Sequence, residues 1–147
     1  MSDQQAFQIE PTRAAVSAFA DTFAGWCAAR GVPERIVGAF LVALDELLVN
    51  LVEHGGCPGP ASIDVRLDRA AACLSVRVVD RGEAFDPLLE APSPDTTSAL
   101  EDRPVGGLGL LLVRRLMDRV EYRRADGSNQ LTIAKHLNQD PRNDRHA

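Results

Sequence analysis

Residues 34–54 read ERIVGAFLVALDELLVNLVEH, and Gly55-Gly56-Cys57-Pro58-Gly59-Pro60 ends the run abruptly. The spacing predicts one helix, stopped by glycine and proline. It is apolar on nearly every side, with Phe40, Leu44, Leu47, Leu48 and Leu51 on one flank and Ala39, Val42, Ala43 and Val49 on the other. A helix apolar all round is normally buried. Yet Glu46, Asn50 and Glu53 stand at i, i+4 and i+7, within about 60° of arc at ~100° per residue. An unpaired buried charge is costly, so such a stripe needs partners. Hydrogen bonds to loops would serve, and so would a metal ion with its waters. Amide and carboxylate oxygens suit Mg²⁺, which keeps several waters and leans on substrate phosphates. His54, near the edge of the arc, reads as a helix-end histidine or as a residue standing behind such a site.

Outward from this helix, residues 12–30 carry Ala15, Val16, Phe19, Phe23, Trp26 and Cys27 at helical spacing, with Gly31 as a stop and Pro33 opening the next helix. Residues 6–10 (AFQIE) read either as a short first strand or as an ordered lead-in. Downstream, ASIDVRLD (61–68) and CLSVRVVD (73–80) alternate apolar and polar residues, and Asp68-Arg69-Ala70-Ala71 suits a hairpin connection. Residues 83–104 hold four prolines (Pro87, Pro92, Pro94, Pro104) and no sustained periodicity. A loop of that length serves as a lid over a site, here about 84–104, or is a disordered insertion. After it, LLLVRRLMDRV predicts a helix with apolar positions 110, 112, 113, 116, 117 and 120. VEYRR (120–124) and QLTIAKHL (130–137) then read as a hairpin across Asp126-Gly127, and 138–147 as a polar tail. The order is α+β, a mixed, mostly antiparallel sheet covered on one face by helices.

Two further stretches carry chemistry. Asp80-Arg81-Gly82 follows a strand directly. A carboxylate there can accept the exocyclic amine of adenine, and Gly82 lets the backbone approach the ring; an ordinary Asp-x-Gly turn has the same residues. Gly106-Gly107-Leu108-Gly109 opens a helix. Free N–H groups and the positive dipole end would hold an anion there; a flexible hinge would look alike. It is neither a P-loop nor the dinucleotide fingerprint, since the Lys-Ser/Thr of the one and the third glycine of the other are missing.

Composition narrows the classes. The 147 residues suit one domain, 1–147, with a formal net charge of −5 and no basic run, which argues against nucleic acid. Three cysteines (Cys27, Cys57, Cys73) without C-x-x-C spacing read as free thiols in a reducing cytoplasm. The N-terminus lacks a signal-peptide pattern and no apolar stretch reaches membrane-span length, so a cytoplasmic protein without membrane contact is expected.

Taken in order, Glu-x-x-x-Asn on a helix, strand-Asp-x-Gly, a long loop and Gly-x-Gly into a helix make a specific set. The chain resembles the Bergerat-fold (GHKL) ATP-binding superfamily and, within it, the anti-sigma factor serine/threonine kinases. LDELLVNLVEHG (44–55) looks like the family's N box. DRGEAFDP (80–87) looks like its first glycine box, and GGLGLLLVRRLMDRVEY (106–122) like the second; the match spans about 34–137. Glu83-Ala84 departs from the Pro-Gly often found in the first glycine box. Asn129 and Gln130 stand where the family often has Thr, so either amide would substitute.

The resemblance implies a two-layer α/β sandwich that binds ATP and Mg²⁺ and works as a homodimer. By its analogy Asn50 coordinates Mg²⁺, and Glu46 orients or deprotonates the attacking hydroxyl. Asp80 binds the adenine amine and Gly82 lines the base. Gly107, Leu108 and Gly109 hold the phosphates, and His54 and Asn129 complete the nucleotide site. It implies partners too: a sigma factor, and a small STAS-type antagonist phosphorylated on serine. The competing readings are an ATP-binding interaction module without phosphotransfer and a detached histidine-kinase catalytic domain. Against the latter, no helix with a phospho-acceptor His precedes the site, and His136 falls in a predicted strand. A gyrase-like ATPase is disfavoured because no transducer segment follows.

Overall fold

Alternation along the strands decides which side of the sheet is buried. In Cys73–Asp80, Leu74, Val76, Val78 and Asp80 are buried while their neighbours are half-buried or exposed, the period-2 pattern of a sheet with one covered face. The computed structural model describes residues 3–54, 63–82 and 107–137. Its elements run β1 (Asp3–Ile9), α1 (Arg13–Ala28), α2 (Glu34–His54), β2 (Ile63–Arg69), β3 (Cys73–Asp80), α3 (Gly107–Leu116), β4 (Arg119–Ala125) and β5 (Ser128–His136). The sheet order is β1-β2-β3-β5-β4, and every pairing is antiparallel. Carried across the register, the buried face of β3 continues through Val65 and Leu67 of β2 and Leu131 and Ile133 of β5. The three described helices cover this face, with α1 and α3 both packed on α2. The α+β reading holds.

Residues 6–10 resolve as a strand that begins earlier, at Asp3, and pairs along its whole length with β2. Aromatic contacts explain the docking. Phe7 of β1 meets Phe19 edge-on (5.4 Å), Phe19 meets Phe23 (6.2 Å), and Phe23 meets Phe40 of α2 (5.9 Å). Such rings bury much area and gain from edge geometry. Arg30 adds a clamp: it pairs with Asp3 (2.5 Å) and lies 4.1 Å over Trp26.

Helix ends follow local chemistry. Thr12 caps α1, its hydroxyl accepting from the Ala15 N–H at 3.1 Å. At the other end the Val32 N–H bonds to the Cys27 carbonyl (3.1 Å) and the Gly31 N–H to Ala28 (3.3 Å), with Gly31 at φ 72°. This is a Schellman stop, and the positive φ is why glycine suits it. The Cys27 thiol beneath it is buried, which pushes its pKa up to about 11; Cys27 and Cys73 are free, as expected.

Three expectations need correction. Asp68 and Arg69 belong to β2, and the turn is Ala70–Ala72, closed by the Ala70 N–H on the Cys73 carbonyl (2.9 Å). The last helix begins at Gly107 and ends at Leu116; Val120 is already in β4, and Leu112 is 40% exposed. The apolar spacing ran on because Val120, an inward strand position, happens to fall three and four residues after Met117 and Leu116, the spacing of a helix. Finally, β5 starts at Ser128, which brings Asn129 into the sheet.

Candidate functional site

The site begins at a turn. Asp126 (φ 52°) and Gly127 (φ 75°) both have positive φ, the geometry a tight two-residue hairpin requires. That turn fixes the register in which Arg124 faces Asn129, and β5 in turn places Asn129 opposite Asp80 on β3. Because side chains alternate, all three stand on the helix-covered face.

Asp80 is 5% exposed and Asn129 7%. A carboxylate this buried must be hydrogen-bonded, and it is. Its Oδ1 accepts from the Gly82 N–H at 2.9 Å and from Asn129 Nδ2 at 3.1 Å. Asn129 Oδ1 accepts from the Tyr122 hydroxyl (2.6 Å) and from Arg124 Nη1 (3.2 Å). The same Arg124 nitrogen donates to the Gly82 carbonyl at 2.8 Å. The structure thus joins Asp80, Gly82 and Asn129. Tyr122 and Arg124 went unnoticed in the sequence, although the Asp126-Gly127 turn, counted through to its register, points to Arg124.

The α2 stripe is built differently. Leu44 and Leu48 line one cleft with Val16 and Phe19 of α1. Lying two residues either side of Glu46, they are about 160° away from it around the helix. Glu46 and Asn50 therefore point away from that cleft. Both are half-buried, less enclosed than the surrounding apolar residues suggest. Among the described residues, no hydrogen bond or ion pair engages either side chain. Glu53, on the same stripe, is taken up by an ion pair with Arg13 at the α1 start.

His54 is the last residue of α2, and Gly107, Leu108 and Gly109 form the first turn of α3. Their backbone N–H groups have no partner within a helix, which leaves an anion-accepting end, on a helix that packs against α2. The side chains of His54 and Leu108, and the lid 84–104, lie outside the described residues. Among the described residues no cluster of three or more His, Cys, Asp or Glu offers a metal cage. No helix there is long and apolar enough to cross a membrane.

Comparisons with known proteins bear on the family and the fold. The family described as "Histidine kinase-like ATPase domain" matches residues 9–135. The chain is similar to serine/threonine-protein kinase BtrW of Bordetella bronchiseptica, 41% identical over 103 residues, covering 69% of this chain and 72% of that protein. It is 34% identical over 106 residues to serine-protein kinase RsbW of Halalkalibacterium halodurans, covering 67% of this chain and 62% of that protein. Among solved structures, the RsbU and RsbW domains of a Mycobacterium tuberculosis protein align with a TM-score of 0.66 at 18% identity, over 94% of this chain and 33% of that one. The mycobacterial sensor histidine kinase MprB aligns with a TM-score of 0.52 at 14% identity, over 90% of this chain and 97% of that one. At those identities the two structures speak for the fold alone.

Proposed function

Because the chain belongs to the histidine kinase-like ATPase domain family and is akin to its serine/threonine-protein kinases, we propose that it transfers the γ-phosphoryl group of ATP to a serine of a small STAS-type protein. By the same reading it binds a sigma factor and switches partners as the antagonist is phosphorylated, acts as a homodimer, and works in the cytoplasm as one domain over 1–147. The observation that carries the nucleotide part is Asp80. It is a buried carboxylate at a strand end, with Gly82 and Asn129 bonded to one oxygen and the other facing no described donor.

Asp80 would accept the adenine amine while Gly82 lines the ring. Gly107–Gly109 would offer N–H groups to the phosphates, with His54 and Leu108 alongside and the lid 84–104 above. Asn50 and the phosphates would hold Mg²⁺, since a lone half-buried amide oxygen fits an ion that keeps most of its waters. When bound, Mg²⁺ supplies neutralisation of phosphate charge. Phosphoryl transfer needs mainly positioning and charge stabilisation. Glu46, one helical turn from Asn50, would orient the serine hydroxyl and take its proton.

The test is incubation of the protein with labelled ATP, Mg²⁺ and STAS-domain proteins of the same organism. Label on a serine of one of them is expected. Nucleotide binding without transfer to any would replace the kinase reading with that of an ATP-dependent interaction module.

A further inference from the structure

We infer that Tyr122 and Arg124 are positioning residues that make Asp80 selective for a base carrying an amino group; this rests on the reading of Asp80 as the base-contacting carboxylate. An asparagine amide is nearly symmetric in shape, so something must decide which end meets Asp80. Arg124 decides it. A guanidinium only donates, so the end of Asn129 that faces Arg124 Nη1 must be Oδ1. The Tyr122 hydroxyl at 2.6 Å supports the same choice. The Nδ2 end is thereby turned onto Asp80 Oδ1, where the Gly82 N–H also points.

With two donors on Oδ1, the carboxylate plane is fixed. Among the described residues no hydrogen bond reaches Oδ2, so this oxygen is presented as an acceptor. An acceptor there recognises the amino group of adenine and rejects the keto oxygen of hypoxanthine or guanine. Rejection is the stronger term, since a buried acceptor facing an acceptor leaves both unsatisfied. Arg124 does a second thing. Its bond to the Gly82 carbonyl holds the backbone that lines the base, so one guanidinium couples carboxylate and loop.

The experiment compares ADP with inosine diphosphate, which differs at the amino position, by calorimetry on the whole chain. Wild type is expected to prefer ADP. In Tyr122→Phe and Arg124→Met the preference falls by about 3- to 10-fold, the size of one hydrogen bond of this kind. The fall comes from both sides: ADP binds more weakly, and inosine diphosphate, no longer facing a fixed acceptor, binds more tightly. Arg124→Lys, which keeps an obligate donor, retains more of the preference than Arg124→Met. If both nucleotides weaken equally, or the preference is untouched, the positioning role is overturned. Asp80→Asn separates the two levels of the argument. Loss of preference there, with none in the Tyr122 and Arg124 variants, leaves the base-contact reading standing and refutes only the inference. A wild-type preference surviving in Asp80→Asn removes both.

Discussion

Asp80 and Glu46 are both carboxylates marked out by the sequence, and the protein treats them in opposite ways. Asp80 is enclosed at the end of the sheet and receives two hydrogen bonds on one oxygen. Glu46 sits half-exposed on α2 beside Asn50, with no hydrogen bond or ion pair among the described residues. The difference follows from the elements that carry them. In a sheet, neighbouring strands supply partners at fixed register, so a polar group can be buried and satisfied at once. On a helix face the neighbours at i±3 and i±4 are the only ladder, and here they are mostly apolar. A polar stripe on such a helix stays at the edge until something brings oxygens or cations to it. On the proposed reading, the base end of the site is preorganised by the fold, while the phosphate end would be completed by what binds.

Glu46→Gln probes that contrast most strongly. If the stripe serves only the chemistry, ADP affinity and thermal stability stay near wild type while transfer to serine falls by about 10²- to 10⁴-fold. A loss of stability instead would show that Glu46 is tied into the fold and would break the comparison. Asp80→Asn acts on the opposite end, and ADP affinity should fall by about 10- to 100-fold, the range for a hydrogen bond to a charged group. Isothermal titration measures it, and an unchanged affinity would mean the buried carboxylate is structural only.

The preorganisation itself depends on the β4–β5 turn. Gly127 has φ 75°, and an added Cβ meets open space, so the cost of Gly127→Ala is conformational, about 1–2 kcal/mol. Melting should drop by a few degrees, with a smaller loss of ADP preference than in Arg124→Met. Equal melting curves would remove the turn from the argument.

Cys27 lies apart from both regions and serves as the control. Burial raises its thiol pKa from 9.0 to about 11. The folded state holds the proton more tightly, so this contribution is complete below pH 9 and is lost as pH rises through 11. By pH 10 about 1 kcal/mol of stability is gone, and Cys27→Ala should flatten that alkaline limb in denaturant titrations. A limb of the same slope in the variant would assign it to other groups.

Much of this was legible beforehand. The first two helices, the two alternating strands of the first hairpin and the Asp126-Gly127 turn each rest on a local rule that the sequence states outright. Two kinds of feature escaped. One was continuation: the apolar spacing after Gly109 ran past Leu116, because Val120 faces the same core from a strand. The other was partnership. Glu53 looked like part of the polar stripe until α1 brought Arg13 to it. Asn129 was left level with Gln130 until the register placed one of them inward and the other on the outer face.

What the sequence determined alone was the set of elements and the chemistry they carry: a helix too apolar for its Glu46 and Asn50, a strand ending in Asp80, and a glycine-led helix. Those follow from periodicity, turn residues and helix-end donors, all properties of near neighbours in the chain. Only the tertiary structure decided which side chains complete the site. Asp80, Asn129, Tyr122 and Arg124 are joined by the order β3-β5-β4, and a shift of one residue in that pairing would turn Asn129 out to the other face.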